Sequence, residues 1–244
     1  MADWNDTRQQ STGFGSVPRA GDAVARRATY DMGLRAHMLK IYNYMASGVL
    51  LTGIVALLAA STGVTEALMG SPLMWLVVLS PLVMVFFFNA KRTEGTLQIM
   101  FWSFAVLMGL SMSTLFFRYT GESIAATFFA TAGAFAGLSL YGYTTKKDLS
   151  GMGTFLVMGL IGLLIAMVIN IFLQSSTLML AISFIGVLIF AGLTAYDTQR
   201  LKQEYEVLRG TEFAGKAVVL GALSLYLDFI NMFQFLLSFM GNRE

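Results

Sequence analysis

The chain has 244 residues, of which 56% are hydrophobic and only 12% charged, against roughly 25% charged in soluble domains. With a mean hydropathy of +0.68, it is expected to be an integral membrane protein rather than a soluble domain with a large core. The absence of cysteine rules out disulfides and thiolate metal sites, and a single histidine, His37, argues against a His-based metal centre.

In chain order, residues 1–37 form a polar, basic tail, with no apolar core or cleavage site of a secretory signal. The first apolar segment is then expected to act as an uncleaved anchor. The stretch 23–40, AVARRATYDMGLRAHMLK, reads as a mildly amphipathic surface helix leading into it. From residue 38 to 244 the chain reads as one transmembrane domain. A spanning helix needs about 20 mostly apolar residues, and seven segments qualify: 41–61, 72–90, 96–117, 123–143, 152–173, 178–198 and 217–240. Connections are short except for 199–216.

Basic residues set the expected orientation. The tail, the second-to-third, the fourth-to-fifth and the sixth-to-seventh connections hold 14 of the 16 Lys and Arg residues. Only Arg118 and Arg243 fall on the other side. The split predicts seven spans with the N-terminus cytoplasmic and the C-terminus outside, in a bacterial inner membrane.

Helical spacing shows which residues share a face. In the seventh span Gly221, Ser224, Asp228, Asn231, Gln234 and Ser238 fall within about 140° of arc, opposite a face of Leu, Phe, Val and Ile. Lipid cannot satisfy such a stripe, so it must meet protein or water. The fifth span carries Gly159, Gly162, Ala166 and Asn170 on one side, and the sixth aligns Ser183, Gly186, Thr194 and Asp197. The GxxxG at Gly133–Gly137 is assigned to helix packing. Carboxylates are different, because packing does not need them. Asp228 stands near the middle of its span, where an acid costs at least a few kcal/mol and marks a functional site by default. Asp197, in AGLTAYDTQR, lies at the cytoplasmic end of the sixth span. The structural alternatives are a protonated Asp228 bonded to a neighbouring helix and an interfacial Asp197 near Arg200.

Three motifs in order, YGYTTKKDLS at 141–150, AYDTQRLK and LYLDFIN, resemble the Bax inhibitor family in its bacterial YccA-like branch. The resemblance runs from about residue 30 to the end. It implies six helices around a central seventh, and an aspartate pair, here Asp197 and Asp228, that shares a proton and senses pH. In the family such a pair governs a calcium leak. The branch also implies a partner, an FtsH-type membrane protease. Some members latch the sixth-helix aspartate with an arginine on the second helix. That position is Asn89 here, with Lys91 and Arg92 beside it.

On this reading Asp197 and Asp228 are the pH-sensing and ion-gating residues, supported by the polar side chains of Ser224, Asn231, Gln234, Thr194 and Asn170. Burial and like charge oppose ionising both acids, and the pair would titrate as a unit. Two carboxylates fall short of the six to eight oxygens of a tight calcium site, so calcium is expected as a weakly held permeant ion. No cofactor, enzymatic activity or nucleic-acid partner is expected; the lipid bilayer is the surrounding medium. An aspartyl protease is disfavoured because Asp228 follows Tyr-Leu rather than Gly-x-Gly. One difficulty is depth. A seventh span entering at Lys216 places Asp228 about 18 Å along, whereas Asp197 ends the sixth.

Overall fold

The structure, a computed structural model, describes residues 20–242, with side chains from Met32 onward. The first part of the tail and Arg243 lie outside the described residues. The described residues are helical: α1 (Ala20–Ser61), α2 (Val64–Met69), α3 (Leu73–Val85), α4 (Glu94–Met112), a 3-10 turn at Ser113–Phe117, α5 (Gly121–Thr144), α6 (Ser150–Leu173), α7 (Ser176–Leu208) and α8 (Phe213–Met240). The compact unit carrying the site begins at His37; residues up to Ala36 form a separate unit. The helix of α1 is continuous through the basic stretch into the first span.

Helix starts follow the local chemistry. Thr93, Thr120 and Ser175 each accept a hydrogen bond from the backbone N–H three residues on, at 3.2, 3.3 and 3.2 Å, satisfying a donor that an open helix end leaves unpaired. Asp148 Oδ1 does the same before α6, accepting from Ser150 N at 2.9 Å and from its hydroxyl at 2.7 Å.

Among the described residues, six helices are long and apolar enough to cross a membrane. The expected second span, 72–90, differs. Its helix α3 has only 13 residues and contains Pro81, so it is about 20 Å long. Pro81 cannot donate to the Val77 carbonyl, and the Ser80 hydroxyl donates there instead, at 2.9 Å. Beyond Val85, Phe86, Phe87 and Phe88 close bonds to Val83, Met84 and Val85. These are tighter i to i−3 turns, and they end the α-helix early.

The expected sixth span, 178–198, lies within a longer helix. Its helix runs ten residues further, to Leu208. Residues 199–208 are polar, but Gln, Arg, Leu, Lys and Glu are good helix formers. Apolar patterning ends at the membrane; helix propensity does not.

The connections 86–93, 145–149 and 209–212 lie at one end of the bundle and carry Lys91, Arg92, Lys146, Lys147 and Arg209. Gln199 of α7 holds the second of them, accepting from Leu149 N at 2.8 Å and donating to the Lys147 carbonyl at 2.8 Å. At the opposite end the start of α5 meets the chain after α8, where Thr120 N donates to the Asn242 carbonyl at 3.2 Å.

The most buried spanning helix is α8: 61% of its apolar window is covered, against 11% for α6. Tyr226, Leu225 and Leu237 are fully buried. The Tyr226 ring sits edge-on to Phe101 and Phe104. Its hydroxyl lies 2.6 Å from Thr52 Oγ1, which donates to the Ala105 carbonyl at 2.9 Å, so α1, α4 and α8 are pinned at one point. Between α7 and α8, Gly186 admits the Phe235 ring, which would stand 2.6 Å from an added Cβ. Gly133 and Gly137, by contrast, have no side-chain or neighbouring-helix atom within 4 Å of a Cβ position. Their GxxxG faces outward and takes no part in packing within the chain.

Candidate functional site: two acids on one helical hairpin

Helices α7 and α8 are joined by four residues, 209–212. An antiparallel pair with so short a turn keeps residues level when they are equally far from it. Asp197 lies eleven residues before Leu208, and Ser224 eleven after Phe213. The two are level, and they touch: the Ser224 hydroxyl donates to Asp197 Oδ2. Asp228 is the next residue on that face, one turn or about 6 Å deeper. The depth difficulty thus shrinks from about 18 Å to about one turn, because α7 extends ten residues past its expected end; the early start of α8 leaves the remaining turn.

The two acids have different surroundings. Asp197 is buried but fully occupied. Arg200 Nη1 stands 3.1 Å from its Oδ1, and Arg200 Nη2 donates to Ser224 Oγ at 3.1 Å. The guanidinium also lies 3.3 Å from Glu204, through Nε, and over the Tyr196 ring at 5.9 Å. The spacing Asp197, Arg200, Glu204 is i, i+3, i+7, so α7 alone arranges these charges on one face. Asp228 is only 4% exposed, and its Oδ2 has no hydrogen-bond partner. The charges acting on it are those of Asp197 and Arg200. No hydrogen bond joins the two acids among the described residues.

The rest of the α8 stripe is partly open. The half-buried positions Leu220, Ser224, Leu227, Asn231, Gln234 and Ser238 recur at three- and four-residue steps along one face. Asp228 lies beside that stripe, between Ser224 and Asn231, and is itself buried. On the far side of Asp228 the stripe borders a cavity of about 310 Å³, lined by Asn231, Gln234 and Ser238 and by Arg118 and Tyr119 at the bundle end. Asn231 Nδ2 donates to its own helix, to the Leu227 carbonyl at 2.7 Å. On the near side stands the Asp197–Arg200–Ser224 cluster. Along α8, Asp228, whose Oδ2 has no partner, thus lies between the residues that line the cavity and the ionic cluster.

Other expected site residues are placed as follows. Thr194 is buried and donates to the Phe190 carbonyl at 2.8 Å. Thr198 continues the polar line, 2.9 Å from Ser139, which is 2.5 Å from the Tyr42 hydroxyl. Sequence reasoning did not find this link between α1, α5 and α7. Asn170 serves the α6–α7 turn: its Oδ1 accepts from Ser175 N at 3.1 Å and its carbonyl from Gln174 N at 2.8 Å. It sits at the bundle end away from Arg200. Asn89 Oδ1 accepts from Lys91 N at 3.0 Å. Lys91 and Arg92 are exposed and form no ion pair among the described residues. The cation on Asp197 is Arg200, from the same helix.

Comparison with known proteins agrees with the motifs. Residues 34–244 match the family described as Inhibitor of apoptosis-promoting Bax1. The chain is 48% identical over 230 residues to a protein of Caulobacter vibrioides, covering 88% of this chain and 92% of that protein. It is 45% identical to the protein RP147 of Rickettsia prowazekii, over 91% of this chain and 95% of that one. It is 44% identical to the inner membrane protein YbhL of Escherichia coli, over 93% of this chain and 98% of YbhL. An all-helical membrane fold, a match over most of its length and an acid on each strand of the closing hairpin agree: this chain belongs to the Bax inhibitor family.

Proposed function

We propose that the protein is a pH-sensitive cation leak channel, with calcium as a permeant ion, gated at Asp228. The observation that carries this is the unpartnered Asp228 oxygen between a polar vestibule and the closed Asp197 cluster. A carboxylate left without a partner in a membrane protein is costly, and a cation site on a conduction path needs such a group. Among the described residues no three His, Cys, Asp or Glu side chains gather to hold a metal, which suits an ion that must also leave. The neutral acid offers a cation nothing. Ionised, it attracts one and repels Asp197, biasing the hairpin towards opening. Flux should therefore rise with pH.

The orientation proposed with this reading is seven crossings, α3 and its following turns serving as the short second one. The N-terminus and the Arg200 end face the cytoplasm, by the placement of basic residues, and the vestibule opens outward. Central placement of α8 is supported by its burial.

Calcium flux into liposomes containing wild-type protein or Asp228→Asn tests the reading. Wild-type flux should rise with pH, and the variant should lose at least about tenfold, a transition-state cost near 1.4 kcal/mol, with a flat profile. Unchanged flux and pH dependence in the variant would rule out gating at Asp228. The remaining function would then be a non-conducting regulator of a membrane partner such as an FtsH-type protease.

A further inference from the structure

The vestibule has two unlike walls. On α6, Leu160, Leu163, Leu164 and Met167 line it; their i, i+3, i+4, i+7 spacing makes one apolar stripe about 10 Å tall. On α8, Asn231, Gln234 and Ser238 make a polar stripe at i, i+3, i+7. The Gln234 amide forms no hydrogen bond among the described residues, which inside a membrane calls for water or a ligand. Arg118 stands at the mouth, exposed, with no ion pair or hydrogen bond to its guanidinium among the described residues. The wall is open to the bilayer side too: α3 packs on α4 and α6 on α7, so Val78 of α3 and Leu164 of α6 border the cavity from different helices. Leu164 is 50% exposed.

A cavity with a cation at its mouth, an apolar wall open to lipid and an unpaired Gln234 amide on the other wall is complementary to an anionic amphiphile. We infer that the vestibule binds the anionic phospholipid of the surrounding bilayer. Its headgroup phosphate sits on Arg118, and one acyl chain lies along Leu160, Leu164 and Met167. Arg118 is one of only two basic residues outside the basic face expected from the sequence. A lone guanidinium at the membrane interface pairs with a phosphate through its fork of donors. This inference does not depend on the leak reading, because binding is measured without flux.

The test uses the full-length protein in detergent, titrated with phosphatidylglycerol or phosphatidylcholine, with retained lipid counted by native mass spectrometry. Wild type should retain phosphatidylglycerol in preference to phosphatidylcholine. Arg118→Gln should weaken that retention about five-fold, the loss expected for one basic contact to an anionic lipid, while Arg118→Lys keeps most of it and reports that the fold tolerates change there. Leu164→Trp, which fills the apolar wall from its exposed side, should also weaken retention. Equal retention of both lipids, or undiminished phosphatidylglycerol retention in Arg118→Gln, would overturn the inference. So would displacement of the lipid by inorganic phosphate with no effect of Leu164→Trp, because that would make the site one for a free anion.

Discussion

Asp197 and Asp228 sit one helical turn apart along the same hairpin, both buried, yet one is surrounded and the other is alone. Asp197 has a guanidinium on one oxygen and a hydroxyl on the other. Asp228 has a buried oxygen with nothing to accept from. The difference teaches that burial of an acid is not itself the sign of function. Asp197 is built into the hairpin as a joint between α7 and α8, whereas Asp228 is held in a form that the packing does not use.

The comparison can be broken by substitution. Asp197→Asn should cost about 1–3 kcal/mol, because it strips the ion pair from Arg200 and weakens the bond to Ser224. The cost stays below that of a fully buried pair because Arg200 is 39% exposed. Arg200→Gln should cost less, about 1 kcal/mol, and should raise leak by freeing Asp197. Arg200→Lys should restore little of this, since one ammonium cannot reach Asp197, Ser224 and Glu204 together. Chemical or thermal unfolding in detergent reads the first effect, and liposome flux the second. Tyr226→Phe is a control on the same helix: it removes the bond to Thr52, and should cost about 1 kcal/mol with the pH profile of flux unchanged.

The smallest expected effect lies outside the spans. Bonds from the Ser150 hydroxyl and then the Ser150 backbone N–H hold the Asp148 carboxyl below its ordinary value. A carboxyl lowered by folding stabilises above its unfolded value and loses that contribution as pH falls through the folded one. Asp148→Ala should therefore be slightly less stable than wild type at neutral pH, with the deficit shrinking below about pH 4. A deficit that persisted there would assign the effect to helix capping alone.

Much of this was legible in the residues. Hydropathy located the apolar segments, and the ends of α5 and α6 fall within two residues of expectation. Pattern failed where another property decided the boundary. Pro81 and the tight turns after Val85 shortened the second segment, and good helix formers carried α7 past its apolar part. Those two α7–α8 boundaries are what set Asp197 level with Ser224, so the site's geometry was hidden although both acids were visible. A helical wheel also carries no depth: Asn170 shares a face with Gly159, Gly162 and Ala166 yet serves the α6–α7 turn, away from the acids. The i, i+3, i+7 pattern of Asp197, Arg200 and Glu204 was the readable signal for the cluster. Nothing in the sequence marks the Tyr42–Ser139–Thr198 link, because three helices must first be placed.

The most direct test of the contrast is the thermal unfolding of Asp228→Asn in detergent at neutral pH. An amide of nearly the same shape removes an ionisable group that burial and an unpartnered oxygen make costly to hold, so the variant should melt above wild type, opposite in sign to Asp197→Asn. A melting temperature below wild type would mean that Asp228 is a structural acid with partners of its own, and would contradict the account.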